Sequence, residues 1–143
     1  MIVGLFHTLE RFLREYFEQG IRWQPFRFDP PVSRWTFKDL RRALEEIGVK
    51  IEDCRFGKAI IMLRLLANTL KHGDGRSRED LRRAAPELFD RHLEAVTWSN
   101  VLVTSDDGLM LTPEEFDTLT DAVQAMWAAL PVGVVSMQDP PAA

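Results

Sequence analysis

The chain has 143 residues, 45% of them hydrophobic and 28% charged, and its formal net charge is −4. This length predicts a single globular domain that buries about 70% of the surface exposed when unfolded. No apolar run reaches the ~18 residues that a membrane span needs, and a single cysteine, Cys54, excludes an internal disulfide. The first ten residues lack the basic segment of a signal peptide, so we expect a cytoplasmic protein.

Charge is distributed unevenly along the chain. Residues 34–91 hold 14 basic and 10 acidic side chains, whereas residues 92–143 hold eight acidic side chains and no Lys or Arg. This pattern argues against broad DNA binding, which depends on neutralising many phosphates. The acidic third either packs beside the basic helices or provides a docking surface for a partner.

Helical periodicity predicts a first helix over residues 2–18, with Gly20 ending it. The connector at 21–34 contains three prolines and several aromatic residues. These rings could form a platform for stacking bases. Packing over the open end of a helical bundle is the better interpretation, because no strand pattern of an RNA-binding sheet accompanies them.

Thr36 is a predicted N-cap for a second helix that runs to about Ile51, with Gly48 as a weak interior position. Cys54 follows at the corner that leads into the next helix. No histidine or basic turn adjoins it, which favours a small corner thiol over a nucleophile.

Residues 56–72 are predicted to form the central helix of the protein. Steps of 100° per residue separate a broad apolar side from a polar side. Gly73 is the predicted stop of this helix, and Gly75 opens the turn that follows. The apolar side holds Phe56, Ala59, Ile60, Leu63, Leu66, Ala67 and Leu70, and the opposite side holds Gly57, Ile61, Arg64, Asn68, Lys71 and His72.

After this corner, Ser77 resembles the start of a capping box and predicts a short helix over about 78–89, bent or divided at Pro86. Its inward residues are expected to include Leu81, Ala84 and Leu88. Residues 95–112 then change to a strand-like period around Asp106-Asp107-Gly108, which predicts a small β-hairpin appended to the bundle.

Thr112-Pro113 has the composition of a helix start, with Thr as N-cap and Pro at the first position. The resulting last helix reaches Leu130-Pro131. We expect one domain over residues 1–131 and a loose tail over 132–143. The predicted inward stripe of the last helix is Phe116, Leu119, Ala122 or Val123, Met126 and Trp127.

Most catalytic and cofactor motifs are absent from the sequence, including the P-loop and the dinucleotide, hydrolase and zinc-protease signatures. His7, His72 and His92 lie far apart and lack the spacing of a metal site. We therefore predict no metal and no cofactor.

The polar side of the central helix is the remaining candidate site. A histidine beside cationic and amide donors can transfer a proton and hold a phosphate, as metal-free RNA cleavage requires. The structural alternative is that lysine and histidine favour the negative end of the helix dipole. The candidate catalytic residues are His72, Asn68 and Arg64, and the candidate ligand-binding residues are Lys71, Gly73 and Gly75.

The same face also carries Ile61, with Leu65 at its margin. Interface cores combine apolar anchors with arginine, so we expect a homodimer packed partly through this helix.

The run Leu65-Leu-Ala-Asn-Thr-Leu-Lys-His-Gly-Asp-Gly-Arg-Ser77 resembles the central motif region of HEPN domains (higher eukaryotes and prokaryotes nucleotide-binding), as does the order of the predicted elements. The resemblance implies an all-α bundle of four to five helices, commonly dimeric. It also implies one of two roles. Active members are metal-independent endoribonucleases with an Arg four to six residues from a His, and other members are binding modules.

Two functional hypotheses follow. In the first, the chain is a non-catalytic interaction or ligand-binding module of a prokaryotic defence or toxin–antitoxin-type system. In the second, it is a metal-independent endoribonuclease that uses His72 with Asn68, Arg64 and Lys71, and its partner is RNA. No arginine lies four to six residues before His72, which favours the first hypothesis, and the sequence leaves open whether the chain is an enzyme.

Overall fold

The computed structural model describes residues 1–21, 30–73, 75–89, 103–104 and 109–131. These residues form an all-α helical bundle, as predicted, with one short pair of strands. None of the helices in these ranges is long and apolar enough to cross a membrane. The five α-helices among the described residues are α1 (Ile2–Ile21), α2 (Phe37–Glu46), α3 (Gly57–His72), α4 (Arg76–Ala84) and α5 (Pro113–Ala129).

Helix α3 is the hub of the bundle, which confirms the prediction for residues 56–72. It contacts α1, α4 and α5 as well as the 3-10 turn Ile51–Asp53. Ile60, Leu63 and Leu66 lie on its predicted apolar side and are at most 1% exposed. Because apolar area removed from water contributes about 25 cal/mol per Å², burial on several sides makes this helix the main source of cohesion.

Helix α1 supplies the opposite wall of the core through Phe6, Leu9, Leu13 and Phe17, all of which are buried. The helix continues to Ile21, so the expectation that Gly20 ends it is wrong. A glycine costs a helix only about 1 kcal/mol relative to alanine, and a long buried face readily offsets that cost.

The aromatic connector is described only from Pro30 onward, and Trp23, Phe26 and Phe28 lie outside the described residues. Trp35 is 3% exposed and packs against Phe17, with ring centroids 5.7 Å apart. Its indole Nε1 donates a hydrogen bond to the Pro30 carbonyl at 3.1 Å. The packing interpretation therefore holds for this ring.

Helix α2 ends at Glu46, five residues before the predicted end near Ile51. Gly48 has a φ of 90°, its N–H donates to the Glu45 carbonyl at 3.0 Å, and the Val49 N–H donates to the Leu44 carbonyl at 2.8 Å. These two bonds form a Schellman motif. Gly48 is thus the residue that terminates α2, and its interpretation as a weak interior position is wrong.

The predicted N-cap of α2 is confirmed at Thr36. The Asp39 N–H donates to the Thr36 hydroxyl at 3.4 Å, and the Thr36 N–H donates to the Asp39 carboxylate at 2.8 Å. This reciprocal pair is a capping box.

Helix α4 spans Arg76–Ala84, with Gly75 as its N-cap and no side-chain capping bond. The prediction of a capping box at Ser77 is therefore wrong, since Ser77 lies inside the helix. Gly75 has a φ of 151°, which lets the chain leave α3 and re-enter a helix almost at once. Pro86 opens a separate 3-10 turn, Pro86–Leu88, so its predicted role in dividing the segment is confirmed. Ala84 is exposed, contrary to its predicted inward position.

Two-residue strands β1 (Val103–Thr104) and β2 (Met110–Leu111) pair antiparallel, with Val103 opposite Leu111. The predicted turn at Asp106-Asp107-Gly108 and the rest of the predicted first strand lie outside the described residues.

Helix α5 begins as predicted, with Thr112 as N-cap and Pro113 at the first position. The Thr112 N–H donates to the Glu115 carboxylate at 2.9 Å and completes a second capping box. Leu119, Ala122 and Met126 form the buried stripe. The predicted tail over 132–143 lies outside the described residues.

A close contact between backbones fixes the start of α3. A Cβ atom at Gly57 would lie 1.9 Å from the Ile51 carbonyl oxygen, whereas a Cβ at Gly4 would have no neighbour within 4 Å. We expect Gly57→Ala to lower the free energy of unfolding by about 2–4 kcal/mol, because backbone atoms must move apart.

The matched control is Gly4→Ala in the exposed part of α1, which we expect to raise the free energy of unfolding by about 0.5–1 kcal/mol. Urea denaturation measures both changes. Equal effects of the two substitutions would contradict the close contact.

The Asp39 cap predicts a specific pH dependence. Its pKa is lowered, first by the backbone hydrogen bond from Thr36 and then by the Thr36 hydroxyl. A lowered pKa contributes stability above the unfolded-state pKa, about 3.9, and that stability is lost as the pH falls through the folded-state value. We expect Asp39→Asn to cost about 0.5–1 kcal/mol at pH 7 and to flatten the fall in stability below about pH 4. Urea denaturation at a series of pH values measures this dependence, and parallel profiles for wild type and Asp39→Asn would refute the role of the cap.

Candidate functional site

The predicted polar stripe is present along one side of α3. Arg64 and Asn68 are half-buried, and Lys71 and His72 are exposed in the last turn of the helix. Solvent can therefore reach the basic end of the stripe.

Arg64 is placed by the neighbouring helix α2. Its guanidinium carbon lies 5.5 Å from the centroid of the buried Phe37 ring, a cation–π contact. Arg64 and His72 are eight residues apart, which corresponds to about 12 Å along a helix. Within one chain, this arrangement does not bring the guanidinium and the imidazole onto one phosphate.

The corner after α3 follows from its glycines. Gly73 has a φ of 69°, and its N–H donates to the Thr69 carbonyl at 2.8 Å. Lys71 and His72 precede this cap as the basic residues of the last turn, where positive charge complements the helix dipole. Asp74, between Gly73 and Gly75, lies outside the described residues. The structure thus places the predicted ligand-binding residues Lys71, Gly73 and Gly75 together at an exposed corner.

Other polar groups near the hub have structural surroundings. The Cys54 thiol donates to the Lys50 carbonyl at 3.1 Å, consistent with a corner thiol. The Thr69 hydroxyl is buried and has no hydrogen-bond partner among the described residues. Among all the residues that the structure describes, no three His, Cys, Asp or Glu side chains lie close enough together to bind one metal ion.

A second surface, which the sequence did not reveal, lies between α1 and α5. We call it the α1/α5 groove, and it has a volume of about 320 Å³. Trp127 is 49% exposed and Phe12 is 36% exposed, so the predicted inward position of Trp127 is wrong. The groove is lined by Phe12, Glu15, Tyr16, Gln19 and Trp127.

The three rings of the groove are inclined to one another. The Trp127 centroid lies 5.6 Å from that of Phe12 at an interplanar angle of 53°, and 6.4 Å from that of Tyr16 at 74°. Such tilted contacts stabilise aromatic pairs and expose ring area that a flat stack would cover. The rings therefore hold one another in place while remaining open to solvent.

Tyr16 connects the groove to the end of α5. Its hydroxyl donates to the Pro131 carbonyl at 2.7 Å, and burial raises the pKa of the phenol above its usual value. The hydroxyl is therefore protonated at neutral pH and remains a donor. This bond joins α1 to Pro131, the second residue after the end of α5.

A charged pair borders the groove. Arg11 Nε lies 3.9 Å from the Glu15 carboxylate, and the Arg11 guanidinium carbon lies 5.3 Å from the Phe12 centroid. Both side chains of the ion pair are more than half exposed, so the pair itself contributes little to stability.

Periodicity did not indicate the position of the groove. Residues 12 and 13 both fit the inward face of α1, and packing buries Leu13 while leaving Phe12 outside. The signal that could have revealed the site is the occurrence of surplus large rings at the edges of two apolar stripes.

The sequence matches no protein-family model, and no curated protein or solved structure matches it significantly.

Proposed function

We propose that this chain is a non-catalytic, HEPN-like interaction module whose binding surface is the α1/α5 groove. The observation that supports this most directly is the half exposure of Trp127 beside the partly exposed Phe12. Large aromatic side chains are enriched at protein interfaces and dominate their energetics. A component of a prokaryotic defence or toxin–antitoxin-type system would use such a surface to hold its cognate partner.

The arrangement of α3 supports the non-catalytic part of this proposal. Arg64 is held over Phe37 and is about two turns from His72. The alternative, a metal-independent endoribonuclease, draws support from the exposure of Lys71 and His72 at the end of the stripe. In that alternative, a second copy of the chain would have to supply the missing positive charge.

Self-association is the second part of the proposal. Ile61 and Leu65 are only half-buried and flank the polar stripe of α3. Packing this face against a second copy would cover their remaining apolar area, while Arg64 and Asn68 formed polar contacts at the same interface. The homodimer would then leave the α1/α5 groove free.

An RNA-cleavage assay in EDTA tests the catalytic alternative. Wild type and His72→Ala are incubated with labelled RNA, and we expect neither to cleave it, because Arg64 is held over Phe37 about two turns from His72 and the acid–base and phosphate-binding groups are therefore separated. Asn68→Ala is the companion variant. The non-catalytic proposal would be overturned if wild type cleaved the RNA and His72→Ala did not. Co-elution of the cleavage activity with the protein in gel filtration would exclude a contaminating nuclease.

Site-specific photo-crosslinking tests the two proposed surfaces. A photoreactive amino acid replaces Gln19 in the groove, Asn68 on α3, or Arg76, whose side chain is 94% exposed on α4. In the cells of origin, we expect a product with a different protein from position 19, and Trp127→Ala should abolish it because a hot-spot aromatic dominates such contacts. With purified protein, position 68 should give a product of twice the chain mass.

Position 76 is the matched control and should give neither product. Equal yields at positions 19 and 76 would refute the groove as the binding surface. A monomeric product pattern at position 68 would refute the dimer without affecting the groove.

A further inference from the structure

The α1/α5 groove combines aromatic area with negative charge. Its lining contains three aromatic rings and one carboxylate, Glu15, with the amide of Gln19 at its edge. Tryptophan is the aromatic side chain that binds cations most strongly, and a carboxylate adds a charge-assisted hydrogen-bond acceptor. The lining therefore complements a flat organic cation better than an anion or a purely apolar group.

The helix ends beside the groove add to this polarity. Gln19 lies in the last turn of α1 and Trp127 in the last turn of α5. The C-terminal end of a helix carries roughly half a negative charge, and neither last turn contains a basic residue.

The chain itself already places a guanidinium at this border. Arg11 pairs with Glu15 at 3.9 Å and lies over the Phe12 ring at 5.3 Å, while its side chain stays 65% exposed. An arginine can stack on a ring and bind a carboxylate at the same time because its guanidinium is planar. The contacts of Arg11 therefore show that a guanidinium can reach the Phe12 ring and the Glu15 carboxylate at the same time.

We propose that the α1/α5 groove receives an arginine side chain of a partner protein, with Trp127 and Phe12 contacting the guanidinium and Glu15 supplying the counter-charge. This inference rests on the proposed interaction function and specifies its partner chemistry. Trp, Tyr and Arg are the residues most enriched in interface hot spots, and here one chain supplies the aromatic half. Arg11 contacts Phe12 and Glu15 in the free protein and therefore competes with the incoming guanidinium for these two side chains.

Capped tripeptides that differ only in the side chain of the central residue provide the test. Acetyl-Gly-Arg-Gly-amide is compared with acetyl-Gly-citrulline-Gly-amide, whose urea group is a neutral near-isostere of the guanidinium, and with the lysine peptide. Binding is followed through the indole N–H resonance of Trp127, which is assigned with Trp127→Phe, and, in every variant including those that lack Trp127, through the backbone amide resonances of the lining residues Glu15 and Gln19. We expect the arginine peptide to bind about 5- to 30-fold more tightly than the citrulline peptide, from loss of the cation–π contact and the ion pair.

Three variants separate the contributions of the groove. Trp127→Ala should weaken binding of the arginine peptide about 10-fold or more, and Glu15→Gln about 3- to 10-fold. Arg11→Ala should strengthen binding about 2- to 5-fold, since it removes the internal competitor. A merely structural role of these residues would not produce opposite effects for Arg11 and Glu15.

Glu114→Gln is the charge-matched control, because it also removes one negative charge but lies at the other end of α5, about 20 Å from Trp127 along the helix. It should leave binding unchanged. Circular dichroism and thermal unfolding confirm that each variant is folded, and Trp127→Phe, which keeps a ring, should retain part of the affinity.

Equal binding of the arginine and citrulline peptides would overturn the inference, as would equal binding of the lysine peptide. Absence of arginine binding together with a persistent crosslink at position 19 would refute the inference and leave the proposed interaction function standing. Loss of both would refute both.

Discussion

The burial of α3 against three other helices is the constraint on which the rest of the structure depends. The helix is in contact with α1, α4 and α5, and its start is pressed against the 3-10 turn Ile51–Asp53 so closely that Gly57 has no room for a side chain. A helix held in this way cannot slide or rotate without opening the core, because close-packed interiors transmit even small displacements. Its polar stripe and the corner at Gly73 are therefore fixed relative to the bundle.

Local signals set the ends of the other helices around this hub. Two capping boxes start α2 and α5, and a Schellman motif ends α2 at Gly48. Each of these devices satisfies backbone groups that a helix end would otherwise leave unpaired, at a contribution of about 1 kcal/mol. The Tyr16–Pro131 hydrogen bond has a different function, since it joins two residues that are 115 positions apart in sequence.

The two candidate surfaces differ in how their side chains are arranged. On α3, Arg64 is held over the Phe37 ring and lies eight residues, about two turns, from His72, so the groups that catalysis would need are far apart along the helix. In the α1/α5 groove, the rings of Phe12, Tyr16 and Trp127 lie close together, and those of Phe12 and Trp127 remain exposed to solvent. Exposed aromatic rings that lie close together are expected of a binding surface. Removing their apolar area from water by binding a partner lowers the free energy of the complex.

The sequence by itself determined the all-α class, the position of the hub, the cap residues Thr36 and Thr112 and the division at Pro86, because periodicity and capping depend on residues three to four positions apart. It also located the polar stripe of α3. The end of α2 is also a local signal, the Schellman glycine Gly48, which the prediction missed because Ile51 continues the apolar spacing although it belongs to a separate turn. Only the tertiary structure decided the exposure of Trp127, and with it the groove, through the way α1 packs beside α5. The orientation of α1 relative to α5 depends on contacts between residues more than 100 positions apart. The residue pattern of either helix alone does not predict these contacts.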